Sequence, residues 1–138
     1  MNDRSFVDTN VLVYLFSDEP DKQQRANALL ISAPPEETLV ISTQVIGEFV
    51  NVCLRRGLLS ETETVALIDV FASALEVARP EIETLREGMR LRERYGYAWW
   101  DSVLLATALE AGCSVFYSED LQDGQVLEGS LRIENPFR

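Results

Sequence analysis

Carboxylates placed beside short apolar segments are the residues of this chain that could do chemistry. Asp8 follows Phe6-Val7 and is followed at once by Thr9-Asn10 and the apolar run Val11 to Phe16. That pattern predicts a short strand switching directly into a helix, since no residues remain for a hairpin turn. Thr9 and Asn10 are good N-cap residues, so the helix is expected to start there, with amide N–H groups and a positive dipole end close to Asp8. Asp101 stands at the start of the apolar stretch Ser102 to Leu109. A carboxylate in that setting requires a partner, and a bound cation meets the need better than a helix dipole alone. Ser118, Glu119 and Asp120 follow Ser114-Val115-Phe116-Tyr117 just as Asp8 follows the first strand. Glu48 lies in a helical pattern, on a polar stripe with Gln44, Asn51 and Arg55. Each acid also has a plainer reading, Asp8 as a turn or cap residue and the Glu48 stripe as a solvated face.

The rest of the composition narrows what such acids can do. There is no histidine, which excludes Ser-His-Asp and Cys-His catalysis, histidine-ligated zinc and a histidine base. Acid–base or metal chemistry must therefore run on carboxylates. Hard divalent cations such as Mg²⁺ or Mn²⁺ take oxygen ligands. One or two of them can generate a hydroxide nucleophile and stabilise the oxygens of an in-line phosphoryl displacement. Lys22 is the sole lysine, which leaves little scope for Schiff-base chemistry, and neither GxxxxGK(S/T) nor GxGxxG occurs. With 23 acidic against 12 basic residues, the net charge is −11. This is a poor global match to nucleic acid and suits a cation or a basic partner.

The elements that must position the acids follow from periodicity and caps. A second, amphipathic helix is expected from Lys22 to Ile31, closed by Pro34-Pro35. Leu39-Val40-Ile41 reads as a buried strand, followed by a helix capped by Ser42-Thr43, running to about Arg56 and ended by Gly57. Ser60 and Glu63 have capping-box spacing and open a helix through Ala72; Leu75-Glu76-Val77 is a strand. Glu81 to Tyr95 reads as a helix on which Arg86, Arg90 and Arg94 pair with Glu83, Glu87 and Glu93. The aromatic run Tyr95 to Trp100 can stack bases or pack inside, and for Trp100 the core is the expectation. Ser114 to Tyr117 is a buried strand, and Ser130 to Ile133 an added edge strand. Strands alternating with helices predict an α/β fold with a mainly parallel sheet and helices on both faces. At 138 residues the chain fits one domain, and its longest apolar run is too short to span a bilayer. Cys53 and Cys113 fall in apolar neighbourhoods and are expected as buried free thiols, which fits a reducing, cytoplasmic setting.

Four stretches in this order resemble the PIN-domain family, and within it the VapC-type ribonuclease toxins of toxin–antitoxin pairs. They are Phe6 to Leu12, Ser42 to Phe49, Trp100 to Ala108, and Tyr117 to Leu121. The resemblance covers nearly the whole chain and implies a single PIN-like nuclease domain over residues 1–138, a three-layer α/β/α fold with a central mainly parallel sheet. It implies Asp8, Glu48, Asp101 and Asp120 as catalytic, metal-binding acids, with Asn10 or Ser118 as polar supports. Glu119 and Asp123 compete with Asp120 for the fourth place. It further implies Mg²⁺ or Mn²⁺ as cofactor, an RNA substrate drawn by the bound cations and a local arginine patch, a cognate antitoxin with a basic segment, and a homodimer. Two other readings stand beside it. A haloacid-dehalogenase-type phosphohydrolase would use Asp8 as nucleophile but wants an acid where Asn10 stands. A non-catalytic PIN scaffold would bind RNA or a protein without cleavage.

Overall fold

Apolar residues recur at strand spacing in some segments and at helical spacing in others, and each finds its neighbours in one sheet and the helices packed on it. The computed structural model describes residues 3–138. Its elements are β1 (Asp3–Val7), α1 (Thr9–Tyr14), α2 (Pro20–Leu30), β2 (Glu37–Ser42), α3 (Thr43–Arg56) and α4 (Glu61–Ala74). They continue as β3 (Glu76–Ala78), α5 (Ile82–Tyr95), α6 (Trp99–Glu110), β4 (Val115–Tyr117), β5 (Val126–Leu127) and β6 (Leu131–Glu134). The strands form one sheet in the order β3-β2-β1-β4-β6-β5. Every pairing is parallel except β5 with β6. Helices cover the sheet in a three-layer α/β/α arrangement. Among the described residues no helix is long and apolar enough to cross a membrane.

The strand order reverses between β1 and β4, because β1 pairs with β2 on one side and with β4 on the other. In open parallel sheets the crevice outside the carboxyl ends at such a reversal is where ligands bind. Asp8 follows β1 there and Ser118 to Asp120 follow β4. Below this point the core is fully buried, with Phe6 of β1 stacked on Phe116 of β4 at 5.2 Å between ring centres. Phe49 of α3 meets Phe71 of α4 edge to face at 5.1 Å. α6 has Ser102 through Ala108 buried, as its nearly all-round apolar sequence requires.

Local signals hold closely. Ser42 caps α3 and Gly57 ends it in the left-handed region at φ +62°. Ser60 and Glu63 complete a reciprocal capping box. Cys53 and Cys113 are buried free thiols, and burial pushes both thiol pKa values up, that of Cys113 to about 11.

Several expectations change. The N-cap of α1 is Asp8, not Thr9 or Asn10, because Asp8 is still extended and its own carboxylate accepts the Thr9 N–H. α2 begins earlier, at Pro20, which suits a first helical position. The Ser130–Ile133 segment does not form an edge. β6 lies between β4 and the two-residue β5, which is too short to show a period in sequence. Arg86 and Arg90 pair with Glu83 and Glu87, but Arg90 and Arg94 share Glu128, not Glu93. Trp100 is not core; it is 58% exposed. Its neighbour Trp99 takes the packed position, because Gly88 lets α5 and α6 approach until a Cβ there would lie 3.5 Å from the Trp99 ring and 3.2 Å from Val103. One residue on, about 100° around the helix, Trp100 turns away from that contact.

Candidate active site

The carboxyl ends of β1 and β4 are held together by backbone, the Asp8 N–H donating to the Tyr117 carbonyl at 3.0 Å. This brings Asp8 and Ser118 side by side although they are 110 residues apart. Ser118 Oγ donates to Asp8 Oδ2 at 2.8 Å, and the Thr9 N–H donates to Oδ1 at 2.7 Å. Asn10 bridges the two strand ends. Its Nδ2 donates to Asp120 Oδ2 at 3.0 Å and lies 3.5 Å from Asp8 Oδ2, while its Oδ1 accepts the Glu119 N–H at 3.3 Å. The Asp120 N–H closes the turn by donating to Ser118 Oγ at 3.1 Å.

Glu48 comes from the second turn of α3 and is anchored on both carboxylate oxygens. Thr9 Oγ1 donates to Oε2 at 2.9 Å and Gln44 Nε2 to Oε1 at 3.0 Å. Gln44 Nε2 also reaches the Trp100 carbonyl at 3.4 Å, which ties α3 to the start of α6 and so to Asp101 in its first turn. Asp8, Glu48, Asp101, Glu119 and Asp120 all line one cleft of about 790 Å³, with Asn51, Arg55 and Arg56 of α3 on the same wall system. The Glu48 stripe is therefore a cleft wall, not merely a solvated face.

Hydrogen bonding separates the three neighbouring acids. Asp123 accepts the Asn135 N–H at 2.8 Å and faces Arg138, away from the cleft. Glu119 lines the cleft but is paired with Lys22 at 2.8 Å, and Lys22 also donates to the Tyr14 hydroxyl. Asp120 is the remaining acid that reaches the Asp8 network.

Electrostatics set this group apart from the surface acids. Among the described residues, none of Asp8, Glu48, Asp101 and Asp120 is paired with lysine or arginine. Burial pushes the Asp8 pKa up to about 7; the Ser118 and Thr9 hydrogen bonds oppose the rise, and the charges of Asp101 and Glu48 add to it. Asp101 is also raised, first by burial and then by Glu48 and Asp120. One oxygen each of Gln44 and Glu119 is buried without a hydrogen-bond partner. Such a set of anionic oxygens lacking both thiolate and imidazole is chemically suited to a hard divalent cation. Among the described residues no three candidate ligands are already drawn close enough to enclose an ion. The carboxylates ring the cleft.

A family model for the PIN domain matches residues 5–122. The chain belongs to the PIN domain family. This PIN domain is 21% identical to a toxin–antitoxin complex chain from Klebsiella pneumoniae, with a TM-score of 0.69 over 96% of this chain and 97% of that one. It is 21% identical to VapC20 of Mycobacterium tuberculosis, described as a sarcin–ricin loop cleaving toxin, with a TM-score of 0.69 over 84% and 89% of the two chains. A DNA-bound VapBC chain from Salmonella typhimurium is 18% identical, with a TM-score of 0.68 over 99% of each. At these identities the likeness carries the fold. No curated protein matches the PIN domain in sequence.

Neighbouring side chains complete the site. Thr9 and Gln44 orient Glu48, and only the Gln44–Glu48 spacing of four residues was a local signal for it. Arg56 joins Arg55 in the cleft, and Trp100 stands exposed at its side.

Proposed function

We propose that this PIN domain is a divalent-metal-dependent endoribonuclease, the toxin component of a type II toxin–antitoxin pair, with Asp8, Glu48, Asp101 and Asp120 as its catalytic acids. One observation carries the reading: four carboxylates without a basic partner converge on the cleft at the strand-order reversal, in a chain with no histidine. Asp8, Glu48, Asp101 and Asp120 would hold Mg²⁺ or Mn²⁺, which when bound supplies an activated water and charge stabilisation at a phosphodiester. The chain's own residues prepare that site. Ser118, Asn10 and the Thr9 N–H hold both oxygens of Asp8, and Thr9 and Gln44 hold Glu48, which restricts the rotamers of these two acids at the cleft. Among the described residues that line the cleft, Arg55 and Arg56 supply the only positive side chains, and they would take phosphates of the RNA strand.

The partner assignment rests on likeness. Chains of similar fold come from toxin–antitoxin and VapBC complexes, and an acidic cleft is complementary to a basic antitoxin segment. Leu54 of α3 and Val65 of α4 are exposed apolar side chains that a homodimer would cover. Cytoplasmic residence agrees with two free thiols.

Incubating the protein with single-stranded and structured RNA in Mg²⁺ or Mn²⁺, and in excess EDTA, tests the proposal. Cleavage is expected only with metal and is expected to vanish in Asp101→Asn. Cleavage that persists in chelator refutes the metal reading, and RNA binding without cleavage selects the scaffold.

A further inference from the structure

Beside the acidic cleft lies a second depression of about 370 Å³, lined by Gln44, Gly47, Glu48, Asn51 and Trp100. It shares Glu48 and Asn51 with the cleft, so the two depressions adjoin. Its wall is an indole that is 58% exposed. This side chain is firmly mounted. Trp100 sits in the first turn of α6 one residue before Asp101, its backbone carbonyl accepts from Gln44, and its ring lies against Trp99 at 6.0 Å with a 50° tilt. Trp99 in turn is packed on Gly88 and Val103. Opposite the indole, Gly47 leaves the α3 surface bare: a Cβ added there would meet nothing within 4 Å. Asn51 and Gln44 supply amide groups at the rim.

We propose that this depression is a nucleobase subsite, in which an unpaired base next to the phosphate in the acidic cleft stacks on Trp100 between the α6 start and the bare α3 surface at Gly47. The inference rests on the nuclease reading for the identity of the strand but not for the stacking itself. Three features select a base over a protein side chain. The subsite adjoins the cleft at Glu48 and Asn51, the rim presents amides that match base edges, and the chain needs a contact that is not ionic. With a net charge of −11, little affinity for RNA comes from neutralising phosphates, whereas stacking on an aromatic face is insensitive to that charge. A subsite restricted to unpaired bases also favours single-stranded segments and loops over duplex.

The test measures binding apart from cleavage. Full-length protein in EDTA is titrated with fluorescein-labelled ten-residue oligoadenylate and oligouridylate, with the same oligomers carrying abasic positions, and with a blunt RNA duplex. Trp100→Ala is expected to weaken binding of the single strands about 5- to 150-fold, the range that loss of one base–aromatic stack gives. Trp100→Phe is expected to restore most of it, and Gly47→Leu, which keeps the indole but fills the depression, to weaken it. Abasic oligomers and duplex should not distinguish Trp100→Ala from the unmodified protein. Because Trp100 is exposed, its removal should leave the melting temperature within about a degree or two. Unchanged single-strand affinity in Trp100→Ala overturns the proposal and leaves this face to a protein partner, as does equal weakening in Trp100→Ala and Trp100→Phe. Trp100-dependent binding in a protein that cleaves no RNA with Mg²⁺ or Mn²⁺ refutes the nuclease reading and supports the subsite. Metal-dependent cleavage with Trp100-independent binding does the reverse.

Discussion

Replacing Asp8 by asparagine keeps the shape of the deepest side chain in the site and removes one charge, and its effect on stability should change sign with pH and with metal. In the folded protein Asp8 is 6% exposed and holds its proton to about pH 7, whereas in the unfolded chain it loses the proton at about pH 3.9. Folding therefore takes up a proton between those values. The metal-free fold keeps this group's full contribution below about pH 4 and loses it progressively as the pH rises through about 7. Tenfold in proton affinity is worth about 1.4 kcal/mol, so a carboxyl carried from 3.8 to about 7 leaves the ionised fold on the order of 4 kcal/mol less stable than a neutral one. Asparagine escapes that loss but gives some back. Its single carbonyl can serve the Thr9 N–H, leaving Ser118 Oγ to turn and accept from the new amide, at a cost of about 1 kcal/mol.

The expected net gain for Asp8→Asn in EDTA at roughly pH 8 is therefore about 1–3 kcal/mol, a rise of roughly 3–10 °C in Tm for a chain of this size. At roughly pH 4.5 the gain should be close to zero, because the unmodified protein is already protonated there. Adding Mg²⁺ or Mn²⁺ at the higher pH should raise only the unmodified protein, so that the two melting curves converge or exchange order. Differential scanning fluorimetry at the two pH values, each with and without metal, reads all four states. A fall in Tm for Asp8→Asn of equal size in all four would mean that Asp8 is only a helix cap, whose charge–dipole contact is lost regardless of metal.

Three further outcomes are expected. Arg55→Gln and Arg56→Gln, both exposed on α3, should each weaken RNA binding without lowering Tm and should reduce the salt slope of log K by about 0.7 per lost phosphate contact; an unchanged slope removes the arginines from the strand path. Gly88→Ala should destabilise by about 1–3 kcal/mol in a urea melt, because the new Cβ would lie 3.2 Å from Val103 Cγ2 and 3.4 Å from its backbone Cα, which cannot yield alone. A neutral Gly88→Ala would show that α5 and α6 separate freely. Val65→Glu combined with Leu54→Glu, at positions that are 60% and 53% exposed, should leave the monomer fold intact and convert a dimer to monomer in sedimentation; a protein that is already monomeric at tens of micromolar, a rough working range for a modest apolar interface, refutes the dimer.

Much of the fold was legible because its signals are local. Ser42, Gly57 and the Ser60–Glu63 box mark helix ends within four residues of chain, and the order of strand and helix segments is enough to predict a parallel sheet. The absence of histidine and the placement of Asp8, Glu48, Asp101 and Asp120 after strands or on helices already pointed to carboxylate chemistry in one crevice. What the sequence could not decide depends on groups distant along the chain. Glu119, Asp120 and Asp123 are equivalent in pattern, and only Lys22, Asn10 and Asn135 sort them. Glu128 replaces Glu93 because the β5–β6 turn brings it beside α5. Trp99 and Trp100 are identical neighbours, and Gly88 on another helix determines which is packed and which faces water. The raised pKa of Asp8 is of the same kind: burial is its largest cause, and the charges of Asp101 and Glu48 add to it. Caps and periods are energies of adjacent residues and survive in the sequence, whereas burial and pairing are energies of surfaces that meet only when the chain has closed on itself.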